Sequence, residues 1–423
     1  MNVDDTSTTA HAKSVRVVTP APTPSRNRIE SVDVLRGLVM VIMALDHTRD
    51  FFSSYVGNPT DAAQVSGWMF FTRWITHLCA PTFVFLAGTS IYLQSLRKPR
   101  PQLARFLVGR GVWLMVVELV VVSTMLTFHP SIHFIFLQVI WVTGLSMVLM
   151  AGLIYLPLWA LVLFGAALLL FHNAFDAVNP ATMTPVAGTL WRLLHVPGLL
   201  RSPATGYFWL NLYPLIPWPG IMTLGFVFGA LLQRPAASRQ RLILLIGSVS
   251  ILCFAVLRFT NRYGDPLPWK PQTTSARTFM SFMDLQKYPP SLLYALATLG
   301  VSLCLMAMFD HENESGTQEG RKRRGITSIL TIYGRVPFFY YVLHFTLIHL
   351  AAVLVTAALG LNWRWWFGVP PTGSVIGGHP PGFGFSLPIV YLIWLAIVTI
   401  CYFPCRLFAE LKQRNRSPWL SYL

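Results

Sequence analysis

The first long apolar stretch of the sequence carries more ionisable residues than a membrane helix ordinarily tolerates. In Ser31-Val-Asp-Val-Leu-Arg-Gly-Leu-Val-Met-Val-Ile-Met-Ala-Leu-Asp-His-Thr-Arg-Asp50, Asp33 and Arg36 stand at one end and Asp46, His47, Arg49 and Asp50 at the other. Arg36 and His47 are eleven positions apart. At 100° per residue they return to within about 20° of one another, roughly 16 Å apart along the axis. A guanidinium on that face can hold a phosphate or carboxylate, and an imidazole can take a proton or an acyl group. Asp50, three positions beyond His47, is placed to hold one imidazole tautomer. The same charges also fit a helix that ends in the headgroup region with Arg36 snorkelling.

Further polar groups recur in apolar surroundings. Arg73 and His77 lie four apart and share a helix face; His77 also fits a buried imidazole satisfied by a hydroxyl or carbonyl. Glu118 sits in Trp113-Leu-Met-Val-Val-Glu-Leu-Val-Val-Val, where a carboxylate needs a partner, and an interior pair with Arg335 or Arg73 would supply one. Near the other end of the chain, Tyr341 and His344 are spaced to line one cavity beside Arg335, while Phe338, Phe339 and Tyr340 read as packing. The run Asn211-Leu-Tyr-Pro-Leu-Ile-Pro-Trp-Pro-Gly220 cannot continue a regular helix. Broken backbone at membrane depth is tolerated where it lines a cavity, so Asn211, Tyr213 and Trp218 are acceptor contacts or members of an interfacial aromatic belt. Asp46, Arg73, His77, Glu118, Asn211, Tyr213, Arg335, Tyr341 and His344 form the set of cavity or acceptor residues.

An Arg-X10-His spacing on the first membrane helix resembles the signature of the membrane acyltransferase superfamily that O-acylates cell-envelope sugars. Three segments bring the likeness closer to one branch: Ser-Val-Asp-Val-Leu-Arg-Gly-Leu at 31–38, Ala-Pro-Thr-Phe-Val-Phe-Leu-Ala-Gly-Thr-Ser at 80–90, and Gly-Arg-Val-Pro-Phe-Phe-Tyr-Tyr-Val-Leu-His at 334–344. They are similar to bacterial proteins related to the catalytic domain of heparan-α-glucosaminide N-acetyltransferase, from residue 28 onward. The resemblance implies a transmembrane acyltransferase-like bundle and acyl transfer from acyl-CoA, most simply acetyl-CoA. In the lysosomal enzyme the catalytic histidine lies between the first two helices, whereas Gly57 to Phe71 here contains none. The role therefore passes to His47 through the wider superfamily's motif, with His77 as the fallback. On the donor side, Arg97, Lys98, Arg100, Arg105 and Arg110 suit phosphates, although topology alone also demands a basic linker there.

The elements that must position these residues follow from composition. Of 423 residues, 54% are hydrophobic and 11% charged, against roughly 25% charged in soluble proteins. The mean hydropathy is +0.54, and the fold class is an all-α polytopic membrane protein. Taking about 20 apolar residues per crossing, ten helices are expected near 34–54, 69–96, 107–127, 135–155, 157–172, 208–233, 241–258, 290–309, 335–360 and 385–408. The formal net charge of +16 gathers in linkers, as the positive-inside rule directs, so no nucleic-acid partner is expected. Five cysteines, all in apolar stretches, argue against a disulfide framework or a zinc site, and no metal is expected.

Residues 1–29 read as a disordered cytoplasmic tail without a cleavable signal peptide, residues 30–410 as the acyltransferase-like domain, and 411–423 as a cytoplasmic tail. The connections 173–207, 259–289 and 361–384 are long enough to serve as lids or binding elements. The expected setting is the bacterial inner membrane with both termini in the cytoplasm, and the expected partners are membrane lipid and a small-molecule or glycan acceptor. The expected activity is acyl transfer from a cytoplasmic acyl-CoA to a hydroxyl or amine of a sugar-like acceptor at the outer face. A transporter or flippase for a small anionic or lipid-linked solute would use the same intramembrane Arg, Glu and His residues as a relay.

Overall fold

The computed structural model describes residues 29–129, 134–201, 208–310, 318–367, 379–415, 417 and 420. The tail expected over 1–29 falls almost wholly outside them, as does most of the segment after Asn415.

Helix α1 (Glu30–Phe52) is followed by α2 (Gly67–Thr76) and α3 (Cys79–Ser95), then by α4 (Arg100–Val117), which passes through a π turn (Glu118–Val122) into α5 (Ser123–Thr127). The chain continues through β1 (Phe134–Leu137), α6 (Val139–Leu153), α7 (Leu158–Phe171), a 3-10 turn (His172–Phe175), α8 (Pro185–Leu194), β2 (Gly198–Arg201) and β3 (Phe208–Asn211). After it come α9 (Trp218–Leu231), α10 (Ala236–Thr260), α11 (Ser275–Met283), α12 (Leu292–Phe309), α13 (Gln318–Arg335), α14 (Pro337–Ala358) and α15 (Leu387–Arg414).

The protein is an all-α polytopic membrane protein in which, among the described residues, seven helical segments are long and apolar enough to cross a bilayer. Each of the ten expected helices has a counterpart, and three of them, α1, α6 and α9, fall outside those seven for identifiable reasons. Helix α1 has 23 residues, ample for a crossing, but carries charges at both ends. Helices α6 and α9 are short because strands take the residues before them. Where one helix was expected over 208–233, the chain forms β3 and an irregular Pro-rich turn, and helix begins only at Trp218. Pro214 and Pro217 withhold the N–H donors that an earlier start would need. β3 lies between β1, to which it is parallel, and β2, to which it is antiparallel. Helix α13 is also an addition, over residues between the helices expected at 290–309 and 335–360, and α15 runs through Leu411–Arg414 into the segment expected as a tail.

Small residues let the helices approach closely, which is what drives association in lipid. α1 packs on α13, and a β-carbon added to Gly37 would overlap the Leu330 carbonyl, while one added to Gly334 would overlap the carbonyl of Asp33. α3 packs on α9 in the same way, through Gly88 against Met222 and Gly225 against Phe85. α4 pairs with α6, α7 with α9, and α10 with α12.

The long connection after α10 is not loose. Arg258, 1% exposed, donates to the carbonyls of Leu267, Ser281, Phe282 and Asp284 at 2.7–3.1 Å. Asp265 accepts from Ser291 Oγ at 2.5 Å and from the Gln286 N–H at 3.0 Å. Together these bonds hold the turn 284–291 against the end of the bundle.

Candidate active site

A pocket opens beside the C-terminal half of α1. Its polar wall is made by Asp46 and His47 of α1, Thr76 and Cys79 at the α2–α3 junction, Gln138, Tyr213, Lys287 and Tyr341. Its apolar wall includes Val39, Met40, Met43 and Phe83. Asp46, Tyr213 and Tyr341, expected as cavity residues, are therefore brought together with His47, expected as the catalytic histidine.

Among the described residues, His47 has one hydrogen-bond partner. Its Nδ1 lies 2.9 Å from Nε2 of His344, and its ring is flanked by Phe345 and Tyr341 at centroid distances of 4.8 and 6.4 Å. The Nδ1 of His344 lies 2.7 Å from the carbonyl oxygen of Tyr340. A carbonyl only accepts, so that Nδ1 carries the hydrogen, and in the neutral ring Nε2 is then a bare acceptor. His47 must donate to it from Nδ1, which leaves the Nε2 of a neutral His47 unprotonated. Helix α14 thus fixes the tautomer of a pocket-lining imidazole through its own backbone.

Asp50 does not fill the orienting role expected of it: its carboxylate pairs with Arg49 at 2.5 Å, and His344 takes its place at Nδ1. Asp46 is held by Arg49 at 3.0 Å and by Arg73, with which it forms a close ion pair. Arg73 is thereby committed to Asp46, and the interior pair expected between Arg73 and Glu118 is absent. Glu118, fully buried, instead accepts the Trp141 N–H at 3.1 Å, where a carboxylate meets the unpaired donors that open α6. Arg335 closes α13 and does not line the pocket.

Arg36 also departs from expectation. Its guanidinium donates to Asp33 at 3.2 Å, to the Gly334 carbonyl at 3.1 Å and to Ser90 Oγ at 2.8 Å. Between Arg36 and His47 the shared face carries Met40 and Met43, so the stripe is polar only at its ends, and the pocket stops at Val39 and Met40, one turn short of Arg36. His77, 3% exposed, lies behind the wall with its ring 5.3 Å from that of Tyr294. Asn211 donates to the Arg192 carbonyl at 2.7 Å and clamps α8 to β3 without entering the pocket, while Trp218 packs on Tyr213.

The basic residues Arg97, Lys98, Arg100, Arg105 and Arg110 lie at the turn between α3 and α4 and along α4. Phe83, on the pocket wall, is twelve positions before the end of α3, so this turn sits about 18 Å or more from the pocket along the helix. Lys98 lies over Phe106 at 4.0 Å and Arg110 over Trp113 at 4.8 Å, whereas Arg97, Arg100 and Arg105 are exposed.

Thr76, Cys79, Gln138 and Lys287 were not foreseen on the pocket. Lys287 stands in a loop whose inward fold depends on Arg258 and Asp265, and no local pattern marks it. Gln138, between an apolar run and its neighbour, was hidden inside an expected helix.

Fold and site together define a multi-pass helical membrane protein with a tautomer-locked imidazole on a pocket. Residues 28–259 match the family described as heparan-alpha-glucosaminide N-acetyltransferase, catalytic; the match spans more than half of the chain, and the protein belongs to that family. No curated protein matches the chain. Two of the three resembling segments fall within the match, and the third, beyond it, carries His344. All three meet at Arg36, which reaches from 31–38 to Ser90 in 80–90 and to Gly334 in 334–344.

Proposed function

We propose that the protein transfers an acetyl group from acetyl-CoA to a hydroxyl or amine of a sugar-like acceptor bound in the His47 pocket. The observation that carries this is the bare Nε2 of His47, set by the chain Tyr340 carbonyl, His344, His47. In the reaction His47 Nε2 accepts the proton of the acceptor as its oxygen or nitrogen bonds to the acetyl carbon. The carbon–sulfur bond breaks, and the proton passes to the departing CoA thiolate. The resulting imidazolium keeps its hydrogen bond to His344 and lies in the same pocket as the Asp46 carboxylate. The same lone pair could receive the acetyl group as a transient acyl-imidazole.

In this reading the protein sits in the bacterial inner membrane with both termini in the cytoplasm, among membrane lipids. The turn bearing Arg97, Arg100 and Arg105 faces the donor's phosphates, and the pocket lies toward the outer face. The test is thiol release from acetyl-CoA by the purified protein, with and without an added amino sugar or sugar. Acceptor-dependent release that His47→Ala abolishes, with membrane insertion and abundance unchanged, supports the proposal. Retained release in that variant overturns the role of His47, and acceptor-independent flux of a solute in proteoliposomes without thiol release indicates a transporter instead.

A further inference from the structure

Two histidines outside the pocket are buried with unused nitrogens. His172 opens the 3-10 turn at the end of α7; it is 3% exposed, and neither ring nitrogen has a hydrogen-bond partner among the described residues. His195 follows the last residue of α8 and is 2% exposed; its Nε2 lies 3.0 Å from Asp176 Oδ1, and its Nδ1 has no partner among the described residues. The two rings are 5.8 Å apart. Buried nitrogens that have lost water and gained nothing are destabilising, and one ring nitrogen of His172 lies with one of His195 beside the Asp176 carboxylate, a set that calls for a ligand that accepts lone pairs.

We propose that His172, Asp176 and His195 bind a divalent transition-metal ion of the Zn²⁺ type. One ring nitrogen of each histidine and one carboxylate oxygen lie within 4.8 Å of one another. Zinc bonds of about 2.0–2.1 Å place tetrahedral ligand atoms about 3.3 Å apart, so side-chain rotations totalling about 1.5 Å close the set. Two imidazoles and one carboxylate suit zinc and disfavour magnesium and calcium, which take oxygen ligands. Asn173 Nδ2 donates to Asp176 Oδ2 at 2.8 Å, orienting the carboxylate as supporting groups around metal ligands do.

The position gives such an ion a structural effect. The end of α8 is bonded to the Pro-rich turn, with the Leu215 and Ile216 N–H groups donating to the Leu193 and Leu194 carbonyls at 3.0 and 2.8 Å. Asn173 Oδ1 accepts the Leu292 N–H at 2.9 Å, next to the turn that carries Lys287. An ion joining α7 to α8 would therefore fasten both segments that bring Tyr213 and Lys287 to the pocket. This inference is independent of the acyl-transfer reading.

The test uses full-length, tag-free protein in detergent, stripped with a chelator and titrated with Zn²⁺ alone. The expected result is one zinc per chain, at least tenfold weaker binding in His172→Ala, His195→Ala and Asp176→Asn, unchanged binding in His47→Ala, and a raised melting temperature with Zn²⁺ but not Mg²⁺. Where a variant fails to fold, the wild type decides: Co²⁺ should give the intense visible absorption of a low-coordinate imidazole site, displaced by Zn²⁺. No saturable zinc binding in the wild type, or binding that the three substitutions leave unaltered, overturns the proposal.

Discussion

His47 and His344, 297 residues apart in sequence, place Nδ1 and Nε2 2.9 Å from one another, and the hydrogen between them is directed by a backbone carbonyl of α14. In the proposed reaction this pairing divides the labour: His47 would meet the reactants and His344 would act as a positioning residue.

His344→Leu should therefore slow acyl transfer by about tenfold to a hundredfold, less than the 10²–10⁴-fold expected for loss of the base itself. His344→Gln, which can still accept from His47 Nδ1, should restore most of the rate. Steady-state kinetics with pH profiles of both variants check this, since a merely structural role would make the two equally impaired.

Arg36 joins α1, α3 and α13, and its removal leaves Asp33, 3% exposed, without that partner. Arg36→Ala should cost roughly 2–4 kcal/mol and lower the melting temperature while leaving the KM for acetyl-CoA of the surviving enzyme unchanged. A raised KM with an unchanged melting temperature would return Arg36 to the donor-binding role.

Gly37 has no room for a methyl group, because the obstacle is the backbone of Leu330 and cannot rotate away. Gly37→Ala should force α1 and α13 apart and reduce the folded fraction on size-exclusion chromatography in detergent. Gly152→Ala, at a helical site with no neighbouring atom within 4 Å, serves as the tolerant control.

Burial pushes the Asp284 carboxyl up to about 6, against about 3.9 in an unfolded chain. The folded protein binds that proton more tightly, so the contribution favours folding at low pH and is lost as pH rises from about 4 through 6. Melting temperatures of wild type and Asp284→Asn should diverge over that interval, with the wild type losing stability relative to the variant as pH increases. A constant difference across the range would contradict the shift.

Much of this protein was legible in its residues. Apolar blocks as long as the one at 241–258 have no soluble fate, so membrane embedding followed from hydropathy alone. The polar ends of α1 drew attention to Asp46 and His47 because charge in an apolar segment needs a reason. The division expected between helices at 135–155 and 157–172 is the break between α6 and α7.

What only tertiary structure decided was partnership. Helical periodicity states which residues share a face of one helix, and so linked His47 with Arg36 and Asp50. It is silent on which helix lies opposite, and the decisive neighbours came from there: His344 for His47, Arg73 for Asp46, the opening of α6 for Glu118, and Ser90 with Gly334 for Arg36. Strand pairing of β1 with β3 and the inward fold of Lys287 likewise depend on atoms distant in sequence. Local propensity is set by a few neighbouring residues, whereas hydrogen bonds and ion pairs are chosen among all groups that packing brings within 3 Å.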